Sequence, residues 1–316
     1  MTAAPRHWAA INEVSFVAGM RLLFWICRVF GRWPFRAILY PVLAWYLATK
    51  PLPRRASLDY LRRLGLYSGA ALPGMTGVLR HFAAFAESIL DKMLLWGGLF
   101  NADGVRFYGR DEVNQCLDQK RGALLICSHL GNVELCRVLS KQRAGLKMTV
   151  LVHTKHAQAF NQMLARLNPD SALNLMQVSD MSPATAIVLA EKIAQGELVV
   201  IAGDRVPVAL KPRVALAGFL GAPAAFPVGP YVLASILQCP VYLLFSMRRG
   251  RHFEVHFELF RASLRLPRQG RDAALAALAG AYAARLEHFC LRAPLQWFNF
   301  YDFWHLPELD IPDALS

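Results

Sequence analysis

Apolar positions dominate the first fifty residues without forming one uninterrupted run. Residues 14–30 (VSFVAGMRLLFWICRVF) are broken by Arg21 and Arg28, and residues 35–49 (FRAILYPVLAWYLAT) by Arg36 and Pro41. A bilayer span needs about 20 predominantly apolar residues. The pattern therefore predicts two helices, parted at Gly31–Pro34, that lie in or dip into one leaflet; a single tilted span is the alternative. No short apolar core is followed by a small-residue cleavage site, so a cleaved signal peptide is not expected.

Beyond Lys50 the period changes. Pro51 and Pro53 are expected to end the N-terminal segment, and Ser57 to cap a basic helix from about Leu58. An amphipathic helix follows over residues 75–97. Strands are then predicted at 105–113 (with a turn), 122–128 (GALLICS), 147–154, 196–205, 239–249 and 252–260, with helices over 132–142, 157–167, 180–195 and 271–293 between and after them. Residues 294–304 (PLQWFNFYDFW) form an aromatic tail. Nearly all-apolar strands alternating with helices predict an α/β fold: a mixed, largely buried sheet covered by helices on both faces. The expected organisation is an N-terminal membrane-associated helical segment, residues 1–50, and a catalytic domain, residues 51–316. No internal repeat or low-complexity linker interrupts it.

Composition sharpens this picture. Hydrophobic residues make up 55% of the 316 and charged ones 18%, yet the formal net charge is +13. Mean hydropathy is +0.29. Residues 1–63 hold ten basic residues against Glu13 and Asp59, so +8 of the charge falls on the most apolar stretch. Arginines among aromatic and aliphatic side chains suit a headgroup interface, where guanidinium meets phosphate. An anionic membrane surface is thus the expected partner. Nucleic acid is not, because its readers keep a polar, charge-rich surface. The six cysteines form no C-x-x-C pair and sit mostly in apolar runs, as buried thiols do.

The candidate chemistry lies in GALLICSHLGNVEL, residues 122–135. A buried strand stops at Ser128–His129, turns through Gly131–Asn132 and meets Glu134. In a covered sheet, the C-terminal edge of a strand is where ligands bind. If Asn132 caps a helix, Glu134 lies in its first turn, bonds one imidazole nitrogen of His129 and leaves the other to take a proton. The spacing alone is weak: nine histidines and 22 acids make one such pair an ordinary chance event, and His305–Asp310 matches it too. A structural histidine beside a glutamate that favours the helix dipole remains open on spacing alone.

SHLGNVE after a buried strand resembles the H-x4-(D/E) block of the lysophospholipid acyltransferase superfamily, and more closely the bacterial lipid A late acyltransferases. ASLDYLRRL (56–64), GELVVIAGDR (196–205), GFLGAPAAFPVGPYVLA (218–234) and CPVYLLF (239–245) are similar to further blocks in that family's order. The resemblance implies an O-acyltransferase with His129 as general base and Glu134 as its orienting acid. It implies acceptor contacts from Asp204 and Arg205. Gly218, Gly221, Gly229 and the neighbouring prolines would line an acyl channel. Lys155 and Arg166 are candidates to reach a phosphate, Arg213, close to the Asp204 block, is a further candidate for substrate binding, and amides around Gly131–Val133 are candidates to support an oxyanion. It further implies an acyl carrier protein thioester as donor, a lipid acceptor, and the cytoplasmic face of a bacterial inner membrane. No metal is implied, and no bound organic cofactor beyond the thioester.

This chain departs from that family's pattern in places. VLVHTKHAQAF carries His153, Lys155 and His156 where an arginine is usual, Gly203-Asp204-Arg205 stands where an Asp-Gln-Asp-like end is usual, and the tail lacks a basic ending. A side branch that acylates another lipid, or serves a specialised acyl or pigment pathway, therefore stays open. So do a non-catalytic peripheral protein of the same fold and a lipid hydrolase using the same dyad. No G-x-S-x-G, H-E-x-x-H or G-x-x-x-x-G-K-[ST] motif is present, so serine esterase, zincin and P-loop chemistry lack their marks. The absence of any G-x-G argues against a dinucleotide enzyme.

Overall fold

A computed structural model describes residues 22, 25–70, 74–96, 98–136, 146–152, 174–177, 183–206 and 212–306. Helices α1 (Trp33–Thr49), α2 (Pro51–Ser68) and α3 (Gly74–Trp96) form an N-terminal layer. The break expected at Gly31–Pro34 is a turn at residues 31–32, with Gly31 at φ +69° and Pro34 in the first turn of α1. Pro51 and Pro53 begin α2 rather than ending the segment before it, because a first-turn proline lacks only an N–H that has no helical partner anyway. Ser57 is consequently inside α2 and is no cap. It shares the buried stripe of Tyr60, Leu61 and Leu64, spaced three and four apart on one face.

The body is one seven-stranded sheet in the order β1-β9-β8-β2-β5-β3-β4. Its strands are β1 (Val105–Tyr108), β2 (Ala123–Cys127), β3 (Met148–Val152), β4 (Asn174–Gln177), β5 (Leu198–Ala202), β8 (Val241–Arg249) and β9 (His252–Arg261). All neighbours pair in parallel except β8 and β9, which form a hairpin. The mixed, buried α/β sheet expected from the apolar runs is therefore present. Alternate residues of each central strand feed two cores. Leu124 and Ile126, Val199 and Ile201, and Leu243 and Phe245 join α1, α2, α3 and α7 (Arg271–Arg292) on one face. Leu125 and Cys127, Leu198 and Val200, and Tyr242 and Leu244 join α4 (Arg110–Asp118) on the other.

Residues 214–227 carry no strand or helix in the sequence reading, which gave Gly218, Gly221 and Gly229 with their prolines to a loop lining an acyl channel. Residues 214–227 form an antiparallel hairpin, β6 (Val214–Phe219) and β7 (Ala222–Pro227), packed against α7. Its two-residue turn places Leu220 at φ +50° and Gly221 at φ +78°. That is the backbone a tight hairpin turn demands. Helix α6 (Gly229–Leu237) follows with Pro230 in its first turn. Helix α5 (Pro183–Ala194) lies within the helix predicted over 180–195, and of the helix predicted over 132–142 the described residues hold a 3-10 turn, Val133–Leu135, followed by the helical Cys136. The rest of that helix, and the one predicted over 157–167, lie outside the described residues.

Candidate active site

Strand β2 is buried over its whole length, so the chain leaves the sheet only at Ser128. Tyr282 of α7 donates its hydroxyl to the Cys127 carbonyl at 2.8 Å, and Gly203 N–H reaches the same oxygen at 2.8 Å. Gly203 itself lies against Ile126 and the Tyr282 ring, where a Cβ would come within 2.6 Å of Ile126 Cγ2. This close approach brings the residue after it, Asp204, across from His129.

The two are joined twice. Asp204 Oδ1 accepts from His129 Nδ1 at 2.7 Å, and Oδ2 accepts from the His129 backbone N–H at 2.7 Å. The indole N–H of Trp297 donates to Oδ2 as well, at 2.9 Å. Asp204 is only 1% exposed. Burial alone would push its carboxyl up, but the charge of His129, its two hydrogen bonds and that of Trp297 outweigh burial and hold the carboxyl below its ordinary value. An ionised carboxylate on Nδ1 requires that nitrogen to carry the proton, which leaves the imidazole lone pair on Nε2.

Two expectations are corrected here. The carboxylate on the imidazole is Asp204, not Glu134, and Asp204 is too buried to touch an acceptor. The reason is geometric: Asn132 caps a short 3-10 turn by accepting from Glu134 N–H at 3.2 Å, while β5 ends directly beside His129. Glu134 instead lines the neighbouring cavity of about 330 Å³, with His129, Lys92 and Arg205. The His129 side chain is one-third exposed there. The rest of that lining is mostly apolar and includes Met148, Val150, Val152, Val200 and Ala202.

The histidine loop is pinned from behind by the tail. Gly131 N–H donates to Gln296 O at 2.7 Å, Phe298 N–H donates to His129 O at 2.9 Å, and Leu130 and Trp297 form an antiparallel bridge. Gly131 N–H is thus spent on structure and is not an oxyanion donor, a further correction. Gly131 has φ +64°, and a Cβ on it would run into the Ser246 carbonyl of β8. Arg205 Nη2 donates to Phe298 O at 3.0 Å while bordering the cavity. Gly221 and Gly229 do not line it: the first serves the β6–β7 turn against Tyr67 and the second opens α6. Arg213 is exposed before β6 and also outside the lining. Lys155 and Arg166 lie outside the described residues. His305 is exposed in the tail, away from the dyad's cavity.

A family profile described as bacterial lipid A biosynthesis acyltransferase matches residues 94–305, two-thirds of the chain. The chain belongs to the bacterial lipid A biosynthesis acyltransferases. No curated protein sequence matches it significantly. The span matched by this acyltransferase family contains His129, Asp204 and Trp297. Sequence reasoning missed the role of Trp297: the density of aromatics in residues 294–304 marked the segment, but nothing in it marked one indole as a partner of a carboxylate 93 residues away.

Proposed function

We propose that this acyltransferase moves a fatty acyl chain from an acyl carrier protein thioester to a hydroxyl of a lipid or glycolipid at the cytoplasmic face of a bacterial inner membrane. The observation that carries the reading is a histidine with Nδ1 committed to a buried aspartate, bordering an apolar-walled cavity. His129 Nε2 takes the proton of the acceptor hydroxyl, and the oxygen attacks the thioester carbonyl. The tetrahedral intermediate then expels the thiolate, which takes the proton back from His129. A positioned base of this kind contributes about 10²–10⁴ in rate. Lys92 and Arg205 at the cavity are placed to balance developing negative charge. The apolar wall suits a hydrocarbon chain.

Two further features support the donor and the location. Grooves of about 420 and 570 Å³ meet at Arg80, Arg248 and Gln296; the first reaches Gly131 and Asn132, and the second adds Arg249 and Arg292. The first groove also carries Glu87 and Asp91, but the second is lined by Arg80, Arg248, Arg249 and Arg292 without an acid, and such a basic approach suits an acidic carrier protein. On the N-terminal layer, Trp25, Trp33, Ile38 and Trp45 are between 56% and 68% exposed, next to Arg28, Arg32 and Arg36. No helix among the described residues is long and apolar enough to cross a membrane. An interfacial mode of binding accounts for both facts.

The test is acyl transfer in membranes from cells expressing wild type, His129→Ala or His305→Ala. Labelled acyl carrier protein thioesters serve as donors, total lipid extract as acceptor, and mass spectrometry as readout. A new acylated lipid lost only in His129→Ala supports the reading and names the acceptor. Equal product from wild type and His129→Ala sinks it.

A further inference from the structure

Trp297 is fully buried, and its ring is wedged among Tyr60, Phe219 and Phe303 with centroids 4.8–5.2 Å away. Edge-on contacts on several sides leave the indole one orientation. In that orientation its N–H meets Asp204 Oδ2. Its own carbonyl accepts from His81 Nε2 at 2.9 Å, so His81 Nδ1 carries the lone pair and accepts from Ser57 Oγ at 2.9 Å. Ser57 and His81 are both fully buried, on α2 and α3. One continuous chain of hydrogen bonds therefore runs Ser57, His81, Trp297, Asp204, His129, from the helical layer to the reacting imidazole.

Packing alone does not call for this arrangement. A core tryptophan needs a partner for its N–H, and any backbone carbonyl would serve. Here the partner is the one buried carboxylate that holds the base. Among the described residues, Oδ2 receives two N–H donors while Oδ1 faces Nδ1 alone. The two donors on Oδ2 fix the rotation of the carboxylate, and that rotation decides where Oδ1 sits.

We propose that Trp297 is a positioning residue of the reaction: its indole N–H sets the Asp204 carboxylate so that Oδ1 stays on His129 Nδ1, and the Ser57–His81 pair holds Trp297 in place. The catalytic consequence rests on the acyl-transfer reading above; the positioning itself does not.

The experiment replaces Trp297 by 3-benzothienylalanine, which keeps the ring shape and exchanges the N–H for sulfur, in the full-length protein with ¹⁵N-labelled histidine. The downfield proton on His129 Nδ1, identified by its loss in His129→Gln, is followed together with kcat, KM and Tm. The expected result is a moved or broadened Nδ1 proton resonance and a kcat at least tenfold lower, with KM within about twofold and Tm nearly unchanged. Ser57→Ala should move the same resonance in the same direction, by less. An unmoved resonance in the benzothienyl protein overturns the proposal, as does a kcat loss that only parallels a fall in Tm. If no acceptor is found and wild type shows no turnover, the proton resonance still decides the positioning role, separately from the function.

Discussion

His129 and Asp204 meet through both the side chain and the backbone of the histidine, at 2.7 Å each. The carboxylate thus fixes the ring and the peptide that carries it with its two oxygens. A charge-assisted pair of this kind is stronger than a neutral hydrogen bond and more demanding in geometry.

Replacing that charge should cost more than replacing the glutamate expected to do the same work. Asp204→Asn keeps the shape but offers an amide that can present N–H to Nδ1 and stabilise the wrong tautomer. Its kcat should fall by about 10²–10⁴ with little change in KM. Glu134→Gln, measured alongside in the same acyl-transfer assay, should lose less. Parity between the two variants, or a larger loss for Glu134→Gln, would return the orienting role to the glutamate.

Gly131 is the second fixed point of the loop. A side chain there meets both a positive φ and the Ser246 carbonyl, and the carbonyl belongs to a central strand that cannot retreat. Gly131→Ala should destabilise the fold by roughly 1–3 kcal/mol from backbone strain and displace His129. Gly229→Ala, with open space at its Cβ, is the control. Denaturant unfolding of both variants checks the difference.

The central sheet was legible because β2, β5 and the first five residues of β8 are short apolar runs, the pattern of strands buried on both faces. The same logic located His129, which is where the run stops. Glu134 was misread as its partner because a one-dimensional pattern favours the acid nearest in sequence. Asp204 is 75 residues away and reaches the imidazole only through the parallel pairing of β2 with β5. Trp297 was harder still, since its indole is buried among aromatics in a segment, residues 294–304, where six of eleven residues are aromatic. The β6–β7 hairpin escaped because Pro223 and Pro227, which usually exclude a strand, sit here on a two-stranded ribbon with a free edge.

The exposed aromatics of the N-terminal layer give a prediction about location. Burying one tryptophan removes about 150–250 Å² from water, worth several kcal/mol at roughly 25 cal/mol per Å² when complete. Trp33→Ala with Trp45→Ala should therefore weaken binding to anionic vesicles at least tenfold. Ile187→Ala in α5, 60% exposed but outside the basic segment, should leave it unchanged. Cosedimentation at two salt concentrations measures both; equal binding by all three proteins would remove the interfacial reading.

The last prediction concerns acid. His81 is buried and neutral, and burial lowers its imidazole to about 4 despite the bond to the Trp297 carbonyl. In the unfolded chain the ring returns to its ordinary value near 6.5. The folded value is the depressed one, so the unfolded state binds the extra proton between these limits. Its contribution is fully present above pH 6.5 and is lost as pH falls toward 4. At about 1.4 kcal/mol per pH unit, on the order of 2 kcal/mol should disappear between pH 6.5 and pH 5. His81→Gln loses the proton uptake along with part of the Ser57–Trp297 link. It should start from a lower stability at pH 7 and show a flatter slope from pH 6.5 to 5 than wild type. Urea unfolding across that range distinguishes the two. Parallel slopes would mean that His81 is not the group that gains the proton on unfolding, and the acid sensitivity would have to come from the carboxylates.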